Sequence, residues 1–125
     1  MLAQSQPSAR QIGRFVEQNV CDYLLQQGLK LITQNYSCEL GEIDLIMQDQ
    51  DTRVFIEVRY RGHGEHGNAL ESVTYKKQRK IIRTAHYYLL ENNLLDQIPC
   101  RFDVIAWDKN PAKIQWIKDA FWVKY

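Results

Sequence analysis

Two neighbouring segments alternate between apolar and polar positions, and this pattern constrains the fold more than any other feature. In Glu42–Gln48, Ile43 and Leu45 fall on the same side, and Val54–Tyr60 resumes the alternation after a polar turn. A repeat of two residues is typical of strands that bury one face. The two segments therefore predict an antiparallel hairpin.

Further patterns on both sides of the hairpin predict the rest of an α/β fold. Apolar residues recur at three- and four-residue spacing in Ala9–Gln27 and in about Val73–Glu91, which predicts two helices. Three more strands are expected at Leu29–Tyr36, Phe102–Trp107 and Ile114–Ile117. The order α-β-β-β-α-β-β predicts a mixed β-sheet flanked by helices.

The length and composition predict one globular domain in the cytoplasm. The 125 residues suffice for a single domain, which we place at 9–125 after a flexible N-terminus at 1–8. No apolar run approaches the roughly 20 residues of a membrane helix, and the first residues lack a secretory pattern. Cys21, Cys38 and Cys100 form no zinc or C-x-x-C pattern, which favours a reducing compartment.

Charge is segregated along the chain, although the net charge is only +1. Residues 30–51 carry five acidic and one basic side chain, and residues 53–83 carry eight basic and three acidic ones. On the second predicted helix the basic residues form an arc opposite the apolar face. Such a ridge can bind nucleic-acid phosphates regardless of sequence, although a solvated helix face has the same pattern. The ridge comprises Lys76, Arg79, Lys80 and Arg83, with Lys77 at its flank.

Two carboxylates occupy the hairpin among apolar residues. In the simplest register, Asp44 and Glu57 lie on the same face of adjacent strands, where each raises the pKa of the other. A divalent cation removes this conflict, and oxygen ligands on rigid strands suit Mg²⁺ or Mn²⁺. Arg59 projects to the same side, where it can pair with Glu57 or hold a phosphate oxygen. A solvated sheet face accounts for the same residues without a function.

The helices and one loop supply further candidates. Glu17 lies at the margin of the first apolar stripe and can reach the sheet, although a solvated glutamate fits there too. Gln78 projects with the apolar face of the second helix, so its amide needs a partner, either in a polar site or on nearby backbone. His63 and His66 lie in a glycine-rich loop without the rigidity of a zinc site, and we expect no metal there.

Five motifs resemble the YraN family of small bacterial proteins, and the resemblance runs from about Gly13 to Phe121. They are G-E-I-D-L-I at Gly41–Ile46, F-I-E-V-R at Phe55–Arg59, V-T-x-x-K-Q at Val73–Gln78, C-R-F-D-V at Cys100–Val104 and I-K-D-A-F at Ile117–Phe121. That family resembles a branch of the restriction-endonuclease-like superfamily, the PD-(D/E)XK nucleases, and is similar to archaeal Holliday-junction resolvases. The resemblance implies a metal-dependent endonuclease on branched DNA and, by analogy with the resolvases, a homodimer.

The resemblance also implies roles for individual residues. Asp44 and Glu57 match the metal-binding acids, and Glu17 matches a glutamate on the first helix. Gln78 matches a polar residue on the helix after the motif, where it would orient the water or Arg59. Arg59 stands where the superfamily has lysine, and an arginine stabilises charge but cannot lose a proton.

Two main hypotheses follow from these residues. In the first, Asp44, Glu57 and Glu17 hold Mg²⁺ or Mn²⁺, Arg59 stabilises charge, and the basic ridge holds flanking phosphates of DNA. In the second, a Glu57–Arg59 ion pair closes the site, and the protein binds nucleic acid without cutting it. A scaffold role is the third alternative.

Overall fold

The structure, a computed structural model, describes residues 6–61, 68–107 and 113–123. It confirms the expected order α-β-β-β-α-β-β, and it adds a short 3₁₀ turn at Leu70–Ser72. The elements are α1 (Ala9–Gln26), β1 (Lys30–Cys38), β2 (Gly41–Asp49), β3 (Thr52–Tyr60), α2 (Tyr75–Glu91), β4 (Cys100–Trp107) and β5 (Gln115–Phe121).

The strands form one five-stranded sheet in the order β1-β2-β3-β4-β5, which is their order along the chain. The pairs β1–β2, β2–β3 and β4–β5 are antiparallel, and β3–β4 is parallel. A parallel pair needs a crossover between its strands, and α2 supplies it. The sheet is therefore mixed, as the sequence predicts.

Local signals fix the ends of α1. The Ser8 side chain accepts from the backbone N–H of Gln11, and the Gln11 side chain accepts from the Ser8 N–H, which is a capping box. Gly28 follows the helix with φ of +99°, a conformation that glycine adopts without a steric cost. The helix therefore ends where the sequence places a glycine.

The two helices cover opposite faces of the sheet. One cluster of buried residues joins α1 to the sheet through Val16, Val20, Cys21, Leu24, Leu45, Met47, Val54 and Ile56. The other joins α2 to the sheet through Ile43, Ile46, Phe55, Ile81, Ala85, Tyr88 and Leu89. Our expectation that Ile43 shares a side with Leu45 is wrong. Ile43 packs in the cluster of α2, whereas Leu45 packs in that of α1.

Gly41, at the start of β2, allows α2 to approach the sheet closely. Its φ is +152°, and a Cβ atom built there lies 2.9 Å from Oγ1 of Thr84 and 3.1 Å from Cε of Lys80. Since real Cβ atoms do not approach so closely, the backbone contact requires glycine. This contact brings the lysines of α2 next to the β1–β2 turn.

A buried aspartate ties β4 to β5. Asp103 is 0% exposed, and it accepts hydrogen bonds from Nε of Arg101 at 3.1 Å, Nε1 of Trp116 at 2.9 Å and the N–H of Asp119 at 2.9 Å. The Arg101 guanidinium also donates to Asp49 at 2.9 Å. Buried charges need such partners, so the role of Asp103 is structural.

Some sequence-based expectations concern residues outside the described ranges. They include the His63/His66 loop and residues 1–5 of the N-terminus that we expect to be flexible. The three cysteines are free thiols: Cys21 is buried, Cys38 half-buried and Cys100 exposed. In the part of the chain that the structure describes, no helix is both long enough and apolar enough to span a membrane.

Candidate functional site

The site lies where β2 and β3 separate. Their ladder runs from the turn to the pair Leu45↔Ile56, and the next residues across are Asp44 and Glu57. Instead of a backbone carbonyl, Oδ2 of Asp44 accepts the N–H of Val58 at 2.8 Å. The Asp44 carboxylate therefore replaces a backbone acceptor, and both carboxyl groups stand at the opening between the strands.

Asp44 and Glu57 lie next to each other across the two strands, close enough for each to shift the pKa of the other, and we call them the acid pair. Burial, and then the charge of Asp44, raise the pKa of Glu57 to about 7, and Glu57 is only 5% exposed. Burial also raises the pKa of Asp44, although the N–H of Val58 and the charge of Lys77 oppose it. The pair therefore holds a proton more tightly than isolated carboxyl groups do.

Glu17 brings a third carboxyl group from α1. Burial raises its pKa to about 7, the charge of Asp44 adds to this rise, and a hydrogen bond from Asn35 opposes it. Its Oε1 is buried and has no hydrogen-bond partner among the described residues. A buried oxygen without a donor is costly, and a water or a cation would satisfy it.

Two cations face the acid pair from one side. Nη1 of Arg59 lies 3.6 Å from Oε1 of Glu57, and Nζ of Lys77 lies 3.9 Å from the same atom. Both cationic side chains are about two-fifths exposed, at 39% and 44%, so water weakens these ion pairs. Two cations thus lie beside Glu57, and Asp44 and Glu17 bring further negative charge nearby, which a proton or a further cation would offset.

The chemistry of the donor set fits a hard divalent cation with few protein ligands. Among residues 6–61, 68–107 and 113–123, no three or more His, Cys, Asp or Glu side chains are grouped closely enough to hold a metal together. Asp44 and Glu57 supply two adjacent carboxylates, and Glu17 stands nearby with an unsatisfied oxygen. Mg²⁺ is commonly held by one or two carboxylates, with waters and substrate phosphates completing its shell.

The structure does not bring Gln78 to this site. Its Nε2 donates to the backbone carbonyl of Val73 at 3.1 Å, which is the nearby backbone partner that the sequence left open. The side chain is half-buried and lines a groove next to Trp122 on another side of α2. Its amide is therefore held by local backbone.

The basic ridge on α2 divides between two cavities. Lys77 and Lys80 line a cavity of about 310 Å³ together with Ser37, Gly41 and Glu42 of the β1–β2 turn. Arg79 and Arg83 line the groove that contains Gln78 and Trp122. Lys76 is exposed, as are the other four basic residues.

Sequence reasoning placed Lys77 on the ridge but missed its contact with Glu57. The available signal is its spacing, because Lys77 precedes the buried Ile81 by four residues and so lies on the same side of the helix. Asn35, which hydrogen-bonds Glu17, was also missed. It has φ of +53° on β1, and strand periodicity contains no signal for such a residue.

Comparisons with known proteins agree on one family. The sequence model of "Uncharacterised protein family UPF0102" matches residues 16–107. A UPF0102 protein of Legionella pneumophila (strain Corby) is 48% identical over 109 residues, which is 87% of this chain and 92% of that protein. A UPF0102 protein of Nitrosococcus oceani is 47% identical over 117 residues, covering 92% and 94%. One from Psychromonas ingrahamii is 52% identical over 109 residues, covering 87% and 88%.

Proposed function

The chain belongs to the uncharacterised protein family UPF0102, which confirms the YraN-like resemblance, and from this premise we propose that it is a metal-dependent endonuclease. In this proposal the protein descends from the restriction-endonuclease-like superfamily, and its candidate substrate is branched DNA. The observation that carries it is the Asp44–Glu57 pair, which lies where β2 and β3 separate and where Oδ2 of Asp44 accepts the N–H of Val58. Paired carboxylates with raised pKa values in a cleft are a common mark of catalytic sites.

Each residue of the site has a distinct role in this proposal. Asp44 and Glu57 would hold Mg²⁺ or Mn²⁺ directly, and Glu17 would reach it through water. The bound ion would polarise a phosphate and lower the pKa of a water. Arg59 and Lys77, both beside Oε1 of Glu57, are placed to neutralise charge that develops on phosphate oxygens.

Glu17 is the candidate proton acceptor. A general base works best when its pKa lies near the working pH, and the pKa of Glu17 is about 7. Arg59 cannot take this role because its guanidinium does not lose a proton in proteins. The amide of Gln78 is engaged by the carbonyl of Val73, so in this proposal Glu17, and not Gln78, positions the water.

The Glu57–Arg59 contact favours a second candidate function. A 3.6 Å ion pair partly neutralises Glu57, as expected of a nuclease fold that binds nucleic acid without cutting it. However, Asp44 and Glu57 lie next to each other across β2 and β3, close enough for each to shift the pKa of the other. Since the two carboxyl groups remain adjacent, we rank cleavage first and silent binding second. A cytoplasmic homodimer is compatible with both.

Cleavage of four-way junctions, flaps and single strands with Mg²⁺ or Mn²⁺ tests the proposal. Asp44→Asn keeps an acceptor for the N–H of Val58 while removing the charge, so it isolates the chemistry from the fold. We expect this variant to lose at least about a hundredfold in rate. Asp51→Asn, in the exposed turn at the other end of the hairpin, is the matched control and should cut normally.

Two results would redirect this assignment. Cutting that persists in Asp44→Asn would come from a contaminant. Salt-sensitive DNA binding without cutting in the wild-type protein, under either metal, would establish the silent alternative.

A further inference from the structure

A groove of about 570 Å³ lies between the first half of α2 and the residues that follow β5. Its polar and aromatic lining comes from Tyr75, Gln78, Arg79, Arg83 and Trp122. Past Arg83 it adjoins a second, more apolar cavity of about 670 Å³ between α2 and β4. The groove is separate from the acid pair, which lies on the Lys77 side of the helix.

Exposed aromatic rings and arginines line this groove together. Trp122 is 61% exposed and Tyr75 is 56% exposed, which is unusual for such large side chains. The guanidinium of Arg79 lies 5.9 Å from the centre of the Tyr75 ring, and Arg83 lies one helical turn further along. None of the described residues that line the groove is acidic. It therefore presents flat apolar surfaces within a positive field.

We propose that this groove binds unpaired bases of a nucleic-acid strand, stacked on Trp122 and Tyr75, with phosphates on Arg79 and Arg83. Aromatic side chains beside a basic track are the usual means by which proteins hold single strands, because every base has a face that can stack. This inference rests on the proposed action on nucleic acid, and it specifies that the substrate has an unpaired segment.

The position of α2 supports a single strand over other occupants. Lys77 and Lys80 line the cavity on one flank of the helix, and Arg79 and Arg83 line the groove on another. A strand that crosses α2 can thus present a phosphate to the acid pair and its neighbouring bases to the groove. A duplex hides the faces of its bases within the stack. An acidic peptide would satisfy the arginines but has no flat rings to match both aromatic residues.

Binding measured without metal tests the groove separately from cleavage. With a chelator present, fluorescence anisotropy would compare an oligothymidylate of about 20 nucleotides with a duplex of the same length. We expect Trp122→Ala to weaken single-strand binding about tenfold and duplex binding by less than about twofold. Trp122→Phe keeps a stacking ring and should restore most of the affinity.

Tyr87→Ala is the matched control, because Tyr87 is a 42% exposed tyrosine on the same helix, about 18 Å from Tyr75 at 1.5 Å per residue. It should bind single strands normally. Equal losses for single strand and duplex in Trp122→Ala, or no loss for either, would overturn the inference. So would polyglutamate that displaces the single strand from the wild-type protein but not from Trp122→Ala.

The two proposals fail separately. If Trp122→Ala binds single strands normally while cutting still depends on Asp44, the groove assignment is wrong and the nuclease stands. If Trp122 controls single-strand binding but no metal supports cutting, the groove stands and the nuclease is wrong.

Discussion

Nζ of Lys77 lies 3.9 Å from Oε1 of Glu57, so a lysine from the crossover helix faces the acid pair of the hairpin. Arg59, on the same strand as Glu57, approaches the same oxygen at 3.6 Å. The site therefore receives one cation from the strand and one from the helix. Lys77 thus brings an ammonium group to the site from a different element than the one that carries Glu57 and Arg59.

Lys77→Met should raise the pKa of Glu57 above its present value of about 7. The charge of Lys77 lowers the pKa values of both Asp44 and Glu57, so its loss leaves the pair more protonated. We expect the pKa of Glu57 to rise by roughly one unit, and an NMR titration of the carboxyl groups measures this change. Lys76→Met, which removes the neighbouring exposed lysine, should leave this titration unchanged. If the pKa of Glu57 shifted equally in the two variants, the cause would be the overall positive charge of the helix and not the contact with Lys77.

The stability of the protein should fall as pH rises through the acid pair. The pKa of Glu57 is raised from 4.5 to about 7, so folding favours its protonated form. Its contribution is fully present below about pH 4.5 and is lost as pH rises through about 7. Glu57→Gln mimics the protonated form, so its stability relative to wild type should increase over this range by roughly 1–3 kcal/mol.

Urea unfolding at a series of pH values measures this difference. Glu39→Gln removes an exposed carboxylate and should give a curve parallel to that of the wild-type protein. A constant offset between Glu57→Gln and wild type across the range would mean that Glu57 titrates normally.

Added Mn²⁺ should stabilise the fold more at high pH than at low pH. The ion competes with protons for Asp44 and Glu57, so its binding strengthens as the pair ionises near pH 7. At a hundredfold excess over its dissociation constant the ion contributes about 2.7 kcal/mol, which thermal unfolding detects as several degrees. The stabilisation by Mn²⁺ should vanish in Asp44→Asn and persist in Asp51→Asn. An increase that is the same at about pH 5.5 and about pH 8 would place the ion elsewhere.

Gly41→Ala should cost more stability than Gly28→Ala. Both glycines have positive φ, at +152° and +99°, so both substitutions strain the backbone. A Cβ atom at residue 41 also meets Oγ1 of Thr84 at 2.9 Å, whereas one at residue 28 has no atom within 4 Å among those described. We expect a loss of about 1 kcal/mol at Gly28 and of about 2–4 kcal/mol at Gly41. Equal losses in urea unfolding would show that α2 moves aside without cost.

Asp103→Ala should be among the most damaging substitutions. It removes the acceptor for Arg101, Trp116 and Asp119 and leaves a guanidinium partly buried with fewer partners. The expected loss is about 3–5 kcal/mol, which thermal unfolding measures. Asp103→Asn keeps one acceptor oxygen and should lose less. A mild effect of Asp103→Ala would mean that Asp49 alone suffices to hold Arg101.

The elements of the fold were predictable because each one has a pattern in its own stretch of sequence. Alternation identifies β2 and β3, three-to-four spacing identifies α1 and α2, and Gly28 marks a helix end. The side on which Ile43 packs was not predictable. It depends on tertiary packing, because Ile43 joins the buried cluster of α2 while Leu45, two residues later, joins that of α1.

The candidate site was predictable in part. The register of a hairpin places Asp44 opposite Glu57, so that proximity follows from the sequence. The approach of Lys77 does not, because it requires α2 to cross the sheet at a particular angle and depth. The partner of Gln78 was also undetermined, since a glutamine on an apolar face can be satisfied by the nearby carbonyl of Val73.

The order of strands in the sheet follows the order of synthesis. When Tyr60 leaves the ribosome, both members of the acid pair are already outside, while Lys77 is still within the exit tunnel. The nascent hairpin must therefore carry its repelling carboxyl groups without the lysine that later offsets them. Assembly becomes electrostatically complete only when the crossover helix docks, which couples the maturation of the site to the final half of translation.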